Sequence, residues 1–445
     1  MVFRRLFERR DNQPADTRAA AADETEVDVA AEPEELASDE SPEDVVDIDW
    51  RARAARSLPT GASTGSKRAE ALYGSEEADG PTHFVRAVGC RLVDPTGATF
   101  IDCSMALGAV ALGYAEPRVT QAVVEAATSG NVAGLSSIRE VELAERLCSI
   151  IPCAEQVQFM KTGAEAVAAA VRLARTYTGR DVVIASGYFG WLDWASDSKG
   201  VPAGVRADVR RVPFDDIAAL ERAATAAGPQ LAAIVIEPVV ERMPSAEWIA
   251  RARSLCNATG AALIFDEIKT GFRLRPAGYQ EVSGVTPDLA TFGKALANGY
   301  PLSVVAGRRD LMQAARNTWI SSTLASEATA LFAAWAVLDW HEQAEICDAL
   351  ASTGRELRDG VAAAIDASGV DGVSVDGLDP MWLLRFDDAA RETRFLELAA
   401  REGVLFKRGA YNYASIAHDE QTIRDVEAGA SAAFVALRDE EQGSE

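Results

Sequence analysis

The chain has 445 residues, 48% of them hydrophobic, which is enough to bury one large domain and a smaller one in a water-soluble protein. Its formal net charge of −24 argues against nucleic acid and anionic membranes as partners, because both demand a basic face. No apolar run reaches the ~18 residues of a membrane span. Arg4, Arg5, Arg9 and Arg10 are followed by no apolar signal-peptide core, so a cytoplasmic location is expected.

Much of the charge is local. From Asp11 to Asp49 fifteen acidic residues stand against one basic residue, Arg18. Residues 1–45 are rich in Ala, Glu, Asp and Pro and poor in aromatics. They cannot bury enough apolar surface to offset their ordering entropy, so a disordered acidic extension is expected. Residues 46–100 then begin a small domain. Within it, Arg91 to Asp102 reads as a hairpin around Pro95-Thr96-Gly97. A large domain is expected over 101–335, where apolar runs alternate with amphipathic helices at 140–151 and 164–177. Buried strands are predicted at Val182–Ser186, Leu231–Ile236, Ala262–Phe265 and Ser303–Ala306, mostly separated by helices as a parallel sheet requires. Residues 336–445 return to the small domain through a long helical stretch, a mixed segment from Gly372 to Phe406 and a final helix from Glu420. The six cysteines contain no CxxC pair and only three histidines accompany them, so no metal site is expected and the thiols read as small buried hydrophobes.

Three strand-end motifs carry chemistry. They are Val235-Ile236-Glu237-Pro238, Leu263-Ile264-Phe265-Asp266-Glu267-Ile268-Lys269-Thr270-Gly271-Phe272-Arg273, and Thr291-Phe292-Gly293-Lys294-Ala295-Leu296-Ala297-Asn298-Gly299. An acid that closes an apolar strand projects its carboxylate from the sheet's C-terminal edge, where α/β folds place ligands. Lys294 is one of only six lysines and lies among apolar residues. An ammonium is costly to bury there unless it is paired or chemically consumed, and forming an imine with a carbonyl cofactor resolves that cost. Upstream, Phe159-Met160-Lys161-Thr162-Gly163-Ala164 leads into a helix whose first N–H groups could receive a phosphate. A plain helix cap at Thr162 fits that segment equally well.

Taken in order and at this spacing, the segments at Phe159, Glu237, Asp266 and Lys294 resemble the class III pyridoxal-phosphate aminotransferases. The branch is that of glutamate-1-semialdehyde aminomutase and related biosynthetic aminotransferases, over about residues 57–437. The resemblance implies an α/β protein of fold type I, with a large, mostly parallel domain and a smaller α+β domain from both chain ends. It also implies a homodimer with a shared active site. It gives Lys294 the Schiff base with pyridoxal 5'-phosphate and the proton shuttle, and Asp266 the pyridine nitrogen. Ile268 and Tyr188 would take the two ring faces. Thr162, Gly163 and Ala164 would take the phosphate, joined by Ser322 and Thr323 from the neighbouring subunit, with Glu237 beside the cofactor.

Departures from the family pattern are local. Phe189 stands where His is usual, Ala164 lacks a hydroxyl, and Val240 and Arg242 occupy the positions of a Gln or Asn that bonds the phenolic oxygen. Gly65-Ser66-Lys67-Arg68 and Gly409-Ala410-Tyr411-Asn412-Tyr413 replace stretches typical of the mutases. The expected activity is amino transfer between a small amine and a carbonyl substrate. An aminomutase and a non-catalytic cofactor-binding scaffold are the alternatives. For a substrate carboxylate, Lys67, Arg68, Arg139 and Arg408 compete.

Overall fold

The computed structural model describes residues 48–443, so the acidic extension expected at 1–45 lies outside the described residues. Strands β1 (Arg86–Val88), β2 (Arg91–Val93) and β3 (Thr99–Asp102) form an antiparallel meander. The predicted hairpin turn joins β2 to β3. It is closed by Asp94 Oδ1, which accepts from the backbone N–H of Thr96 (2.8 Å) and Ala98 (3.0 Å).

The central sheet contains β4 (Gln156–Met160), β5 (Val182–Ser186), β6 (Val209–Arg211), β7 (Leu231–Ile236), β8 (Ala262–Asp266), β9 (Leu289–Phe292) and β10 (Ser303–Gly307). Their order is β4-β10-β9-β8-β7-β5-β6. Neighbours from β6 through β9 pair in parallel, while β10 runs antiparallel to both β9 and β4. The strand expected at Ser303–Ala306 is thus present but is the one reversed member. The ten residues 293–302 between β9 and β10 are too few for the crossover that a parallel neighbour needs. The strands β4, β6 and β9 lack the apolar runs that announced β5, β7 and β8.

Every residue of β7 is fully buried, as a strand covered on both faces requires. Each such Val, Leu or Ile contributes about 1.5–3 kcal/mol by leaving water. The helix Gly163–Thr178 packs on one face, against β7, β8, β9 and β10. The helices Ile217–Ala227 and Ala246–Thr259 pack beside β5, β7 and β8.

Beyond the helices Ala328–Gln343 and Ile346–Ser368 come β11 (Val373–Leu378), β12 (Met381–Phe386), the helix Ala389–Arg401, β13 (Val404–Leu405), β14 (Asn412–Tyr413) and the helix Glu420–Gly443. β13 pairs in parallel with β3, which joins the C-terminal chain to the N-terminal meander. β14 pairs with β12, and Tyr413 N–H donates to Cys103 O (2.7 Å). Phe395 and Phe434 stack with centroids 4.2 Å apart beneath this region. Among the described residues all six cysteines are free and five are buried, Cys148 being partly exposed. No described helix is long and apolar enough to cross a membrane. No described cluster of His, Cys, Asp or Glu could hold a metal ion.

Candidate active site

Five loops leave the same edge of the central sheet, because β4, β5, β7, β8 and β9 all run the same way. Thr162, Tyr188, Glu237 and Lys294 lie on the loops after β4, β5, β7 and β9, and Asp266 is the last residue of β8. The C-terminal edge of a parallel sheet thereby gathers residues distant in the chain.

Asp266 closes β8 and is 6% exposed. Its Oδ1 accepts from Ile268 N–H (3.0 Å) and from the Thr291 hydroxyl (3.2 Å). It makes no salt bridge within the described residues, and burial together with the Glu237 carboxylate pushes it up to about 7. Glu267, the next residue, faces the other way and is also pushed up to about 7 by burial. It accepts from the Thr270 hydroxyl, Tyr279 N–H (2.9 Å) and Gln280 N–H (3.0 Å). Glu267 is therefore saturated by protein donors, whereas Asp266 retains an oxygen for a further, cationic donor.

Lys294 opens the short turn Lys294–Ala297 after β9 in a left-handed backbone conformation, φ 48°. A non-glycine residue there costs on the order of 1–3 kcal/mol, offset by the buried packing of Ala295, Leu296 and Ala297. Its side chain is partly exposed, with Nζ 5.9 Å from the Tyr413 ring centroid. Burial and the neighbouring Lys269 ammonium push it down to about 8, so a useful fraction is free amine near neutral pH.

Thr162 caps the helix Gly163–Thr178 through a capping box. Its hydroxyl accepts from Glu165 N–H (3.2 Å), while its own N–H donates to Glu165 (2.9 Å). The cap alternative thus describes the Thr162 side chain, and the N–H groups of Gly163 and Ala164 are left without an intrahelical acceptor. The loop carrying Tyr188 packs closely on this turn. A Cβ at Gly190 (φ 84°) would lie 2.4 Å from the Ala164 Cβ, and one at Gly187 (φ 129°) would lie 2.4 Å from the Glu237 Cβ. Tyr188 is 74% exposed. Phe189, at the family's usual His position, is instead buried against Trp194. Ile268 is partly exposed, close beside the Gly163 and Gly293 backbones.

Ser322 and Thr323 are exposed and hydrogen-bond neither to this group nor to the Thr162 turn. Their segment is tethered by Glu327, which pairs with Lys161 at 2.7 Å. Arg139 pairs with Glu142 (3.0 Å), Arg408 lies 3.7 Å from Glu392, and Arg242 pairs with Asp215 (2.6 Å). Lys67 and Lys407 line a mostly apolar cavity of about 440 Å³ with Tyr73, Phe84 and Phe100.

Lys269 and Arg273 lie in the motif that follows β8, and the sequence alone assigns neither a role. Lys269 Nζ pairs with Glu237 Oε1 at 2.6 Å and donates to the Tyr411 hydroxyl at 3.2 Å. Arg273 is fully buried and donates to the carbonyls of Gly108 (3.0 Å), Ala414 (2.9 Å) and Pro380 (3.2 Å) beside Tyr413. The scarcity of lysine was the available signal for Lys269.

A partly buried amine near neutrality, a buried carboxylate short of a cation and free N–H groups at a helix start fit pyridoxal phosphate, with its carbonyl, pyridine nitrogen and phosphate. The family described as Aminotransferase class-III matches residues 73–418. A glutamate-1-semialdehyde 2,1-aminomutase from Polynucleobacter necessarius is 31% identical over 427 residues, covering 86% of this chain and 97% of the relative. Among solved structures, the FumI protein of Sphingopyxis sp. MTA144, in its PLP internal aldimine form, superimposes with a TM-score of 0.84. It is 27% identical and covers 88% of this chain and 97% of its own. An omega-transaminase from Sphaerobacter thermophilus gives a TM-score of 0.79 at 25% identity, covering 88% of this chain and 97% of its own. The chain belongs to the class III aminotransferase family and is a pyridoxal-phosphate-dependent enzyme of the aminotransferase or aminomutase kind.

Proposed function

We propose that the protein is an aminotransferase that moves an amino group between a small amine or amino acid and a carbonyl substrate in biosynthesis. The observation that supports this reading is the placement of buried Asp266 at the end of β8 and of Lys294 just after the neighbouring β9, on one edge of the central sheet. When bound, pyridoxal phosphate supplies a carbonyl that captures amines and a ring that accepts an electron pair. Lys294 would hold the cofactor and, when released by substrate, carry a proton on Nζ between carbon atoms. Asp266 would hold the proton on the pyridine nitrogen and thereby keep its own carboxylate charged. Ile268 and Tyr188 would bound the ring faces. The N–H groups of Gly163 and Ala164 would bind the phosphate at the positive end of their helix, beside the Thr162 cap. Glu237 would anchor the Tyr188 loop.

The same reading includes a cytoplasmic homodimer in which Ser322 and Thr323 reach the partner's site. It divides the chain into a large domain (101–335) and a small one built from both ends. The test supplies the pyridoxamine-phosphate form of the enzyme with a series of keto acids. Free amino acid leaving the enzyme supports amino transfer. Its absence across the series, with isomerised product from an amino aldehyde, supports instead the aminomutase reading that the 31% identical relative favours.

A further inference from the structure

Lys269 is one of six lysines in the chain, and it faces the Tyr411 ring as Lys294 faces the adjoining Tyr413 ring. It is 8% exposed, on the loop that follows β8, and among the described residues its carboxylate partner is Glu237. Glu237 is fully engaged. Oε1 takes Lys269, and Oε2 accepts from Tyr188 N–H at 3.0 Å. On its far side Lys269 donates to the Tyr411 hydroxyl, which also accepts from Glu241 N–H at 2.7 Å, and it lies 4.4 Å from the Tyr411 ring centroid. One buried ammonium therefore braces three segments around the site: the Tyr188 loop through Glu237, the turn after β7, and the segment entering β14.

We propose that Lys269 is a positioning residue which, by holding Glu237 and resting on the Tyr411 ring, 5.8 Å from the Tyr413 ring that faces Lys294, governs the charge of the amine that receives the cofactor; this rests on the function proposed above. Lys294 is faced by two further cations, Lys269 and Arg273, and by two carboxylates, Glu237 and Asp266, with Tyr413 over its amine. Glu237 is neutralised by Lys269, and Asp266 is itself reluctant to ionise. What reaches Lys294 is then desolvation reinforced by nearby positive charge, and both disfavour its ammonium. Burial is the largest single influence on Lys269 and disfavours its ammonium, but Glu237, Tyr411 and Tyr413 together outweigh it and hold the proton there. The two lysines thus divide the work: one stays charged so that the other does not.

The test measures the pH dependence of Lys294 acetylation by acetic anhydride in the full chain freed of cofactor, read by peptide mass spectrometry. The wild-type midpoint is expected near 8. Lys269→Met removes the repelling charge and leaves Glu237 unpaired, so the midpoint should rise by about one pH unit or more. Lys269→Arg, which keeps the charge, should stay at the wild-type midpoint. Should Lys269→Met fail to fold, the Lys269→Met/Glu237→Gln pair leaves no orphan carboxylate and should still raise the midpoint, by less. An unmoved or lowered midpoint in the neutral variants, or an equal rise in Lys269→Arg, overturns the proposal. Reductive trapping of pyridoxal phosphate on wild-type chain separates the two claims. Absence of label on Lys294 removes the function reading as well, whereas label on Lys294 with an unmoved midpoint removes only the role of Lys269.

Discussion

The floor of the site and its rim are built differently. The floor consists of Asp266, Glu237, Lys269 and Lys294 at or just after strand ends; Asp266 and Lys269 are buried, Glu237 and Lys294 partly so, and the first three are tied to neighbours in the same chain. The rim presents Tyr188 at 74% and Trp191 at 75% exposure, and the exposed Ser322 and Thr323 are the residues proposed to complete a partner's rim. A rigid sheet edge can preset charge, because desolvation there moves Asp266 and Lys294 toward neutrality before any ligand arrives. Exposed loops cannot shift ionisation that way. They offer faces and hydrogen bonds instead, so floor variants should act on chemistry and rim variants on cofactor retention.

The largest effect is expected from Lys294→Ala, which removes the covalent anchor and the proton carrier together. Turnover should collapse while cofactor still binds through its other contacts. Wild-type turnover in this variant would break the distinction outright. Asp266→Asn should fold normally yet slow the chemical step roughly a hundredfold or more, about 2.7 kcal/mol of lost transition-state stabilisation. A neutral amide cannot hold the pyridine proton. Single-turnover rates near wild type would show that the floor's second member is dispensable.

On the rim, Thr323→Ala should weaken cofactor affinity by roughly ten- to a hundredfold, the loss of one hydrogen bond to a charged acceptor. With cofactor saturating, kcat should be unchanged, and an equal loss of kcat would place Thr323 with the floor. Tyr188→Ala should cost less, roughly two- to tenfold in affinity, the worth of one stacked ring.

The smallest effect is a pH dependence of stability. Without cofactor, Asp266 binds its proton more tightly folded than unfolded. That stabilising contribution is complete below about pH 4 and lost as pH rises toward about 7. Cofactor supplies the missing cation, so the gain in melting temperature on adding pyridoxal phosphate should be larger at pH 8 than at pH 5. Asp266→Asn should shrink that difference, and an unchanged difference would deny Asp266 the pyridine nitrogen.

The sequence made the floor's endpoints readable because an acid closing Leu263-Ile264-Phe265, or a lysine amid apolar residues, breaks a pattern that burial enforces. The long strands were legible for the same reason. Lys269, Tyr411, Tyr413 and Arg273 were not assigned, because their roles exist only once β14 is brought to the β8 loop from about 140 residues away. The reversal of β10 was missed because periodicity reports burial but not direction. Its signal was the short β9–β10 connection. Glu267 marks another limit, since sequence places it beside Asp266 and only the fold reveals which of the two is saturated.

Lys269 and Lys294 face adjoining rings, those of Tyr411 and Tyr413, and Lys294 is the one proposed to hold the cofactor. Borohydride reduction of the purified protein loaded with pyridoxal phosphate, followed by peptide mapping, decides between them. The account predicts a single pyridoxyl-phosphate mass increment on the peptide containing Lys294 and none on that containing Lys269. A label on Lys269, or an unlabelled Lys294 after the colour is bleached, would contradict it.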